Sequence, residues 1–210
     1  NMLGRIGDSV KGKSCVVSGS GNVATYAAEK ILQLGGKVLT LSDSGGFVHD
    51  PDGINEEKLE FIKNLKQVQR GRISEYTDTY KNATFHEGRP WGVTCDVALP
   101  CATQNEITEA EAKLLLANGV KVVSEGANMP TEQGGIDAFI DGKILFAPSK
   151  AANAGGVAVS GLEMSQNSAR ISWKEDELQG LLQDIMKSIH DNCVEYGSEG
   201  EHVNYLKGAN

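Results

Sequence analysis

The residues best suited to chemistry lie in the run Val16-Val17-Ser18-Gly19-Ser20-Gly21-Asn22-Val23-Ala24. A short apolar segment passes directly into the spacing GxGxxA, and each small residue answers a separate steric need. Gly19 permits a tight turn, Gly21 lets the backbone close on a phosphate, and Ala24 lets a following helix pack tightly on the strand. A helix starting there aims its free N–H groups and positive dipole end at an anion. The ligand expected from this arrangement is the pyrophosphate of a dinucleotide.

The elements that must hold this turn follow in order. Ala27, Ala28, Ile31, Leu32 and Leu34 share one helical face, and Gly35-Gly36 supplies the left-handed stop past a helix end. Val38, Leu39 and Leu41 form a short strand ending at Asp43, where a dinucleotide fold places an acid that accepts from ribose hydroxyls. An Asx turn before Gly45-Gly46 is the other reading of Asp43. Three later loops carry small polar side chains where strands end: Ala102-Thr103-Gln104-Asn105, Glu125-Gly126-Ala127-Asn128 and Ala147 through Gly156. Their amides and hydroxyls can read ribose and carboxamide groups, and each also serves in ordinary caps and turns.

Strand and helix signals alternate along the rest of the chain. After a loop at Pro51-Asp52-Gly53, Leu59, Ile62, Leu65 and Val68 mark an amphipathic helix. Residues 69–91 are polar and poorly periodic, with one short strand near Thr84-Phe85. Val93 to Leu99, Val120 to Ser124 and Ile144 to Ala147 read as buried strands. Thr108 with Glu111, and Ser172 with Glu175, read as capping boxes. The second of these opens a helix whose buried stripe is Leu178, Leu181, Leu182, Ile185, Ile189 and Cys193. The alternation predicts an α/β fold: a Rossmann-like, doubly wound, mostly parallel sheet with helices on both faces.

With 210 residues, 40% of them hydrophobic, the chain suits one domain spanning 1–210. A net charge of −8 argues against nucleic acid or an anionic membrane as partner. No apolar run approaches the roughly 20 residues of a membrane span, and no signal-peptide pattern opens the sequence, so a cytoplasmic protein is expected, with an organelle matrix as the other compartment. Cys15, Cys95, Cys101 and Cys193 lack metal or redox spacing and read as buried thiols. His49, His86, His190 and His202 are scattered, so neither a metal site nor a catalytic triad is expected.

The strings APSKAANAGGVAVSGLEMSQN from Ala147, ALPCATQNEIT from Ala98 and SEGANMPT from Ser124 closely resemble the coenzyme-binding domain of hexameric glutamate dehydrogenases. The likeness runs from about Gly4 to Asn210. It implies reversible oxidative deamination of L-glutamate to 2-oxoglutarate and ammonia, with a nicotinamide coenzyme and a homohexameric whole enzyme. Carried over by position, Gly19, Ser20, Gly21, Asn22 and Val23 match the pyrophosphate turn. Ala102, Thr103 and Asn128 match contacts on the ribose and nicotinamide side, and Asn153 matches a position near the carboxamide. Val157 and Ser160 match positions flanking the substrate side chain, where a serine hydroxyl can bond the γ-carboxylate. A helical serine bonding its own preceding turn is the ordinary alternative for Ser160.

The family's GGGK-type motif, with the lysines and aspartate that activate substrate, is absent from these 210 residues. No catalytic residue is therefore expected in this chain; Lys150 is a substitute only by residue type, since its position matches a structural loop. The resemblance thus implies one domain of a longer enzyme. Asp43 alone suggests NAD, but Ser42-Asp43-Ser44 resembles NADP-dependent members, with Lys66 and Arg72 at basic positions that take the 2′-phosphate and Gln69 where some members have arginine. NADP is the expected coenzyme and NAD the alternative. A free-standing nucleotide-sensing module, or a domain of a related aliphatic or aromatic amino-acid dehydrogenase, are the other readings.

Overall fold

Side chains alternate across a strand, so the apolar run beginning at Cys15 must feed two cores. In the computed structural model, which describes residues 1–200 and 202–210, the chain runs α1 (Met2–Arg5), β1 (Ser14–Val17), α2 (Asn22–Gln33), β2 (Lys37–Asp43), β3 (Gly46–Ile54), α3 (Glu56–Lys63), α4 (Tyr76–Thr79) and β4 (Thr84–His86). It continues through β5 (Val97–Leu99), α5 (Glu109–Ala117), β6 (Val122–Ser124), α6 (Gln133–Asp141), β7 (Leu145–Ala147), α7 (Ser149–Ala152) and α8 (Ala154–Ala169). The last elements are α9 (Glu175–Gly197), β8 (Ser198–Glu199), β9 (His202–Val203) and α10 (Tyr205–Ala209).

Among the described residues, seven strands form one sheet in the order β4-β3-β2-β1-β5-β6-β7. β2, β1, β5, β6 and β7 are mutually parallel. On one face Cys15 and Val17 pack with Ala24, Ala28 and Ile31 of α2 and with Leu59 and Ile62 of α3. On the other, Val16 and Ala98 pack with Ala112 and Leu115 of α5 and Phe139 of α6. This is the doubly wound, Rossmann-like architecture that the alternating signals predict. The chain leaves β1 toward β2 and later crosses back to β5 on β1's other side, which opens a crevice at the strands' carboxyl ends.

The structure corrects the expected pattern at several places. The stretch 46–54, expected to contain a loop at Pro51-Asp52-Gly53, is instead strand β3, antiparallel to β2 and β4. Asp43 pairs with Gly46 across a two-residue turn, Ser44-Gly45. Gly46 has φ +148°, and a Cβ there would strike the carbonyl of His86 on β4. Pro51 is tolerated because β2 pairing skips from His49 to Ile54 and β4 reaches only Phe47 to His49, so its missing N–H breaks no ladder bond.

Val68 is 72% exposed although Leu59, Ile62 and Leu65 are buried as expected. Residues Asn64–Val68 form a π turn, whose extra residue rotates Val68 away from the core. The cap of α9 also differs: Lys174 N donates to the Glu177 carboxylate at 2.9 Å, so the helix opens past the predicted Ser172 start. Only Cys193 and Gly197 of α9 are buried, because its first half lies on α7 and α8 and not against the sheet. Leu178, Leu182, Ile185 and Ile189 are half-buried and Leu181 is exposed, which corrects the predicted buried stripe.

The Thr108–Glu111 capping box forms as read, with Thr108 N on the glutamate at 2.9 Å and Glu111 N on the threonine hydroxyl at 3.3 Å. All four cysteines are free and buried. No helix among the described residues is long and apolar enough to cross a membrane.

Candidate functional site

The crevice floor is built around Gly19. Its φ is +84°, and a Cβ would come within 2.9 Å of the Cys101 carbonyl, so the residue must be glycine for two independent reasons. Gly19 N donates to Ser42 Oγ at 2.6 Å and Ser42 N returns a bond to Gly19 O at 3.0 Å, tying the turn to the end of β2. Gly21 is the N-cap of α2 and offers its first turn no side-chain cap. A Cβ on Gly21 would meet nothing within 4 Å, so this side of the turn faces open space. Uncapped helix amides facing open space fit an anion. The space is a cavity of about 720 Å³ lined by Gly19, Ser20, Gly21, Asn22 and Val23 on one side, Asp43 and Ser44 at one end, and Ala102, Thr103 and Glu106 on the other.

At the β2 end, Asp43 is committed on both oxygens. Oδ1 accepts from Gly45 N at 2.9 Å, forming the Asx turn, while Oδ2 accepts from Lys66 Nζ at 2.7 Å and Ile73 N at 2.9 Å. Burial pushes the Asp43 pKa up, but the Lys66 ammonium and the two backbone N–H groups outweigh it and hold the carboxyl below its ordinary value. Lys66, donating also to Gly71 O at 2.8 Å, is buried against the acid and does not line the cavity. Arg72 is exposed, and its guanidinium donates to Ser44 Oγ at 2.8 Å at the cavity rim. Ser44, Asp43, Lys66 and Arg72 therefore do come together, but Lys66 acts on the acid, while Arg72 reaches Ser44 at the rim.

The opposite wall comes from the loops after β5, β6 and β7. Gly126 N and Ala127 N both donate to Pro100 O, at 3.0 and 2.9 Å, joining the first two loops. Asn153 Nδ2 donates to Asn128 Oδ1 at 2.6 Å, joining the second to the third. Here a second cavity of about 650 Å³ shares Val23, Cys101, Ala102 and Thr103 with the first and adds Asn128, Asn153, Val157 and Ser160. Val157 is 77% exposed and Ser160 is exposed, both on α8. Lys150 lines neither cavity; its ammonium bonds Asn210.

Two buried acids stand beside the crevice, Glu125 opening one of the three polar loops and Glu106 directly following another. Glu106 is 3% and Glu125 is 2% exposed, and burial raises the pKa of each. Glu125 Oε2 accepts from Ser149 N at 2.7 Å, holding the start of α7 to the end of β6. Glu106 Oε1 accepts from Ala102 N at 2.9 Å and Thr103 N at 3.2 Å. An acid four residues after a small-polar strand end was the available signal for Glu106. Cys101 also lines both cavities, and burial pushes its thiol up to about 12.

Fold and site define an α/β protein of the doubly wound class, with one continuous crevice at the carboxyl edge of its parallel strands. Residues 1–210 match the Glutamate/Leucine/Phenylalanine/Valine dehydrogenase family, and the chain belongs to it. It is 59% identical over 211 residues to an NAD(P)-specific glutamate dehydrogenase of Xylanibacter ruminicola, covering 100% of this chain and 48% of that protein. It is 52% identical to an NADP-specific glutamate dehydrogenase of Haemophilus influenzae and 47% identical to an NAD-specific one of Bacteroides fragilis, covering all of this chain and 47% of each relative. A solved glutamate dehydrogenase of Plasmodium falciparum superposes with a TM-score of 0.94 at 45% identity, covering 99% of this chain and 45% of that one. The chain spans about half the length of the curated relatives it matches.

Proposed function

We propose that this chain is the NADP(H)-binding domain of a glutamate dehydrogenase, and that the longer protein catalyses reversible oxidative deamination of L-glutamate. The observation that carries the reading is the uncapped α2 end behind Gly21, opening on the 720 Å³ cavity. Residues Gly19 to Val23 hold the pyrophosphate there. Ala102, Thr103, Asn128 and Asn153 orient the nicotinamide half, with the Asn153–Asn128 bond fixing both side chains. The bound nicotinamide accepts or returns the hydride. Val157 and Ser160 face the substrate side chain, the serine hydroxyl toward the γ-carboxylate. The groups that move the substrate's protons lie outside this chain, so the chain alone does not turn over glutamate.

Preference for the 2′-phosphate follows from the Asp43 geometry. A bare carboxylate would repel the phosphate, but Lys66 neutralises this one at 2.7 Å, and Gly45 N and Ile73 N occupy its other acceptor sites. Ser44 and the Arg72 guanidinium are then left at the rim to grip the phosphate. The relatives' printed specificities include NADP, NAD and both, so the test is direct: calorimetric titration of the chain with NADPH and with NADH. Tighter NADPH binding is expected, and equal or tighter NADH binding rejects the preference. In the complete protein, Ser160→Val should lower kcat/KM for glutamate by roughly 10- to 100-fold and for norvaline by less.

A further inference from the structure

We propose that Glu106 is a positioning residue for the coenzyme, its buried carboxylate fixing the backbone of Ala102 and Thr103 in the form that the crevice wall presents. This role rests on the coenzyme-binding reading above and adds a residue to it.

A carboxyl group that is 3% exposed costs free energy unless hydrogen bonds replace its lost water. One oxygen, Oε1, takes both N–H groups of the Ala102-Thr103 bend, at 2.9 and 3.2 Å. The Ser18 hydroxyl, at the end of β1, accepts from Cys101 N at 2.9 Å on the same wall loop. Glu106 and Ser18 thus hold adjacent parts of the wall loop, and Ser18 directly precedes the glycine turn. The Glu106 carbonyl accepts from the indole of Trp91 at 2.9 Å, which is 1% exposed, so the residue cannot swing away without breaking a buried bond. The carboxylate lines the same cavity as Gly19 to Val23 and contributes no bond to any helix cap or strand ladder. Its bonds hold only the segment that faces the crevice.

Length and acceptor character are both required. Aspartate is one methylene too short to reach the two amides, whereas glutamine keeps an oxygen in place. The test uses the chain as it is and reads two quantities: hydrogen exchange of the Ala102 and Thr103 amides without ligand, and NADPH affinity by calorimetry. In Glu106→Asp and Glu106→Ala both amides should lose protection and NADPH should bind about tenfold more weakly or worse. In Glu106→Gln protection should persist and affinity should stay within about threefold of the wild type. Leu115→Ala, a cavity in the neighbouring core, lowers thermal stability and should move neither quantity.

If the alanine variant does not fold, the aspartate and glutamine variants carry the comparison. Amides that stay protected in Glu106→Asp overturn the proposal. So does lost protection with unchanged NADPH affinity, since the carboxylate would then be structural only. A wild-type chain that binds neither dinucleotide rejects the functional reading itself, and the coenzyme role of Glu106 falls with it, whatever the amides show.

Discussion

The two ends of the crevice are built on opposite plans. At the β2 end the buried polar groups are tied to one another: Asp43 takes three donors, Ser42 clasps Gly19, and Lys66 is held between an acid and a carbonyl. At the α8 end no residue of the helix is buried, and Val157 and Ser160 stand in solvent. One end is preorganised by its own chain and loses little entropy on meeting a ligand. The other presents side chains from a helix that the sheet does not pin. Variants of the buried groups at the first end should change stability and coenzyme affinity together, while those at the second should leave the isolated chain unchanged.

The largest effect is expected at Gly19→Ala. A Cβ at φ +84°, 2.9 Å from the Cys101 carbonyl, forces the turn open. The strain is about 1–3 kcal/mol and should appear as a lower unfolding midpoint. NADPH affinity should fall about 100-fold if, as proposed, this turn holds the pyrophosphate. A variant that binds as the wild type does would show that the turn is not the anchor.

Lys66→Met comes next. It leaves the Asp43 carboxylate, 9% exposed as a side chain, without its cation, at a cost of about 2–3 kcal/mol at neutral pH. In the wild type the folded-state pKa of Asp43 lies below its unfolded value, so the stability it contributes is complete above about pH 4 and is lost as the pH falls through the folded value. Without Lys66 the carboxyl loses its largest lowering influence and its pKa rises, so acidification neutralises the stranded charge and relieves the variant. Urea unfolding at several pH values should show the gap between the two proteins closing toward pH 4. A gap that does not change with pH rejects the ion pair as its source.

Arg72→Ala should act on affinity alone. The side chain is exposed, so stability should move by no more than about 0.5 kcal/mol. NADPH binding should weaken about tenfold with NADH unaffected. The smallest effect belongs to Ser160→Val in the isolated chain, where titration should give affinities for both coenzymes within about twofold of the wild type. A large loss there would erase the distinction between the two ends.

How much of this was legible in the sequence follows the same division. The glycine turn, the parallel strands and the Thr108 cap depend on local sterics and short spacing, and they could be read directly. Strand β3 could not, because Pro51 and Gly53 signal a loop; only the bulged pairing with β2 and the short reach of β4 make room for them. Asp43 looked like a choice between ribose acceptor and Asx turn, yet the turn is formed at the cavity's edge, and its second oxygen is set by Lys66, 23 residues away. The π turn that carries Lys66 has no spacing signature, and helical periodicity wrongly placed Val68 inside. Glu106 and Glu125 looked like ordinary polar loop residues because burial of an acid is decided by tertiary packing. The exposure of α8 and much of α9 was equally hidden, since an apolar stripe gives no clue to whether anything covers it.

The tryptophans have an optical consequence. The sequence holds two, and they sit in different surroundings: Trp91 is 1% exposed with its indole donating to the Glu106 carbonyl, while Trp173 is half-buried just past α8, its backbone N–H donating to Gln166 Oε1 at 2.6 Å. Their emission should therefore separate into a blue component that aqueous iodide does not quench and a redder one that it does. The first reports from beneath the crevice wall and the second from the corner beyond the exposed helix, so one unlabelled sample gives a separate spectral signal for each region.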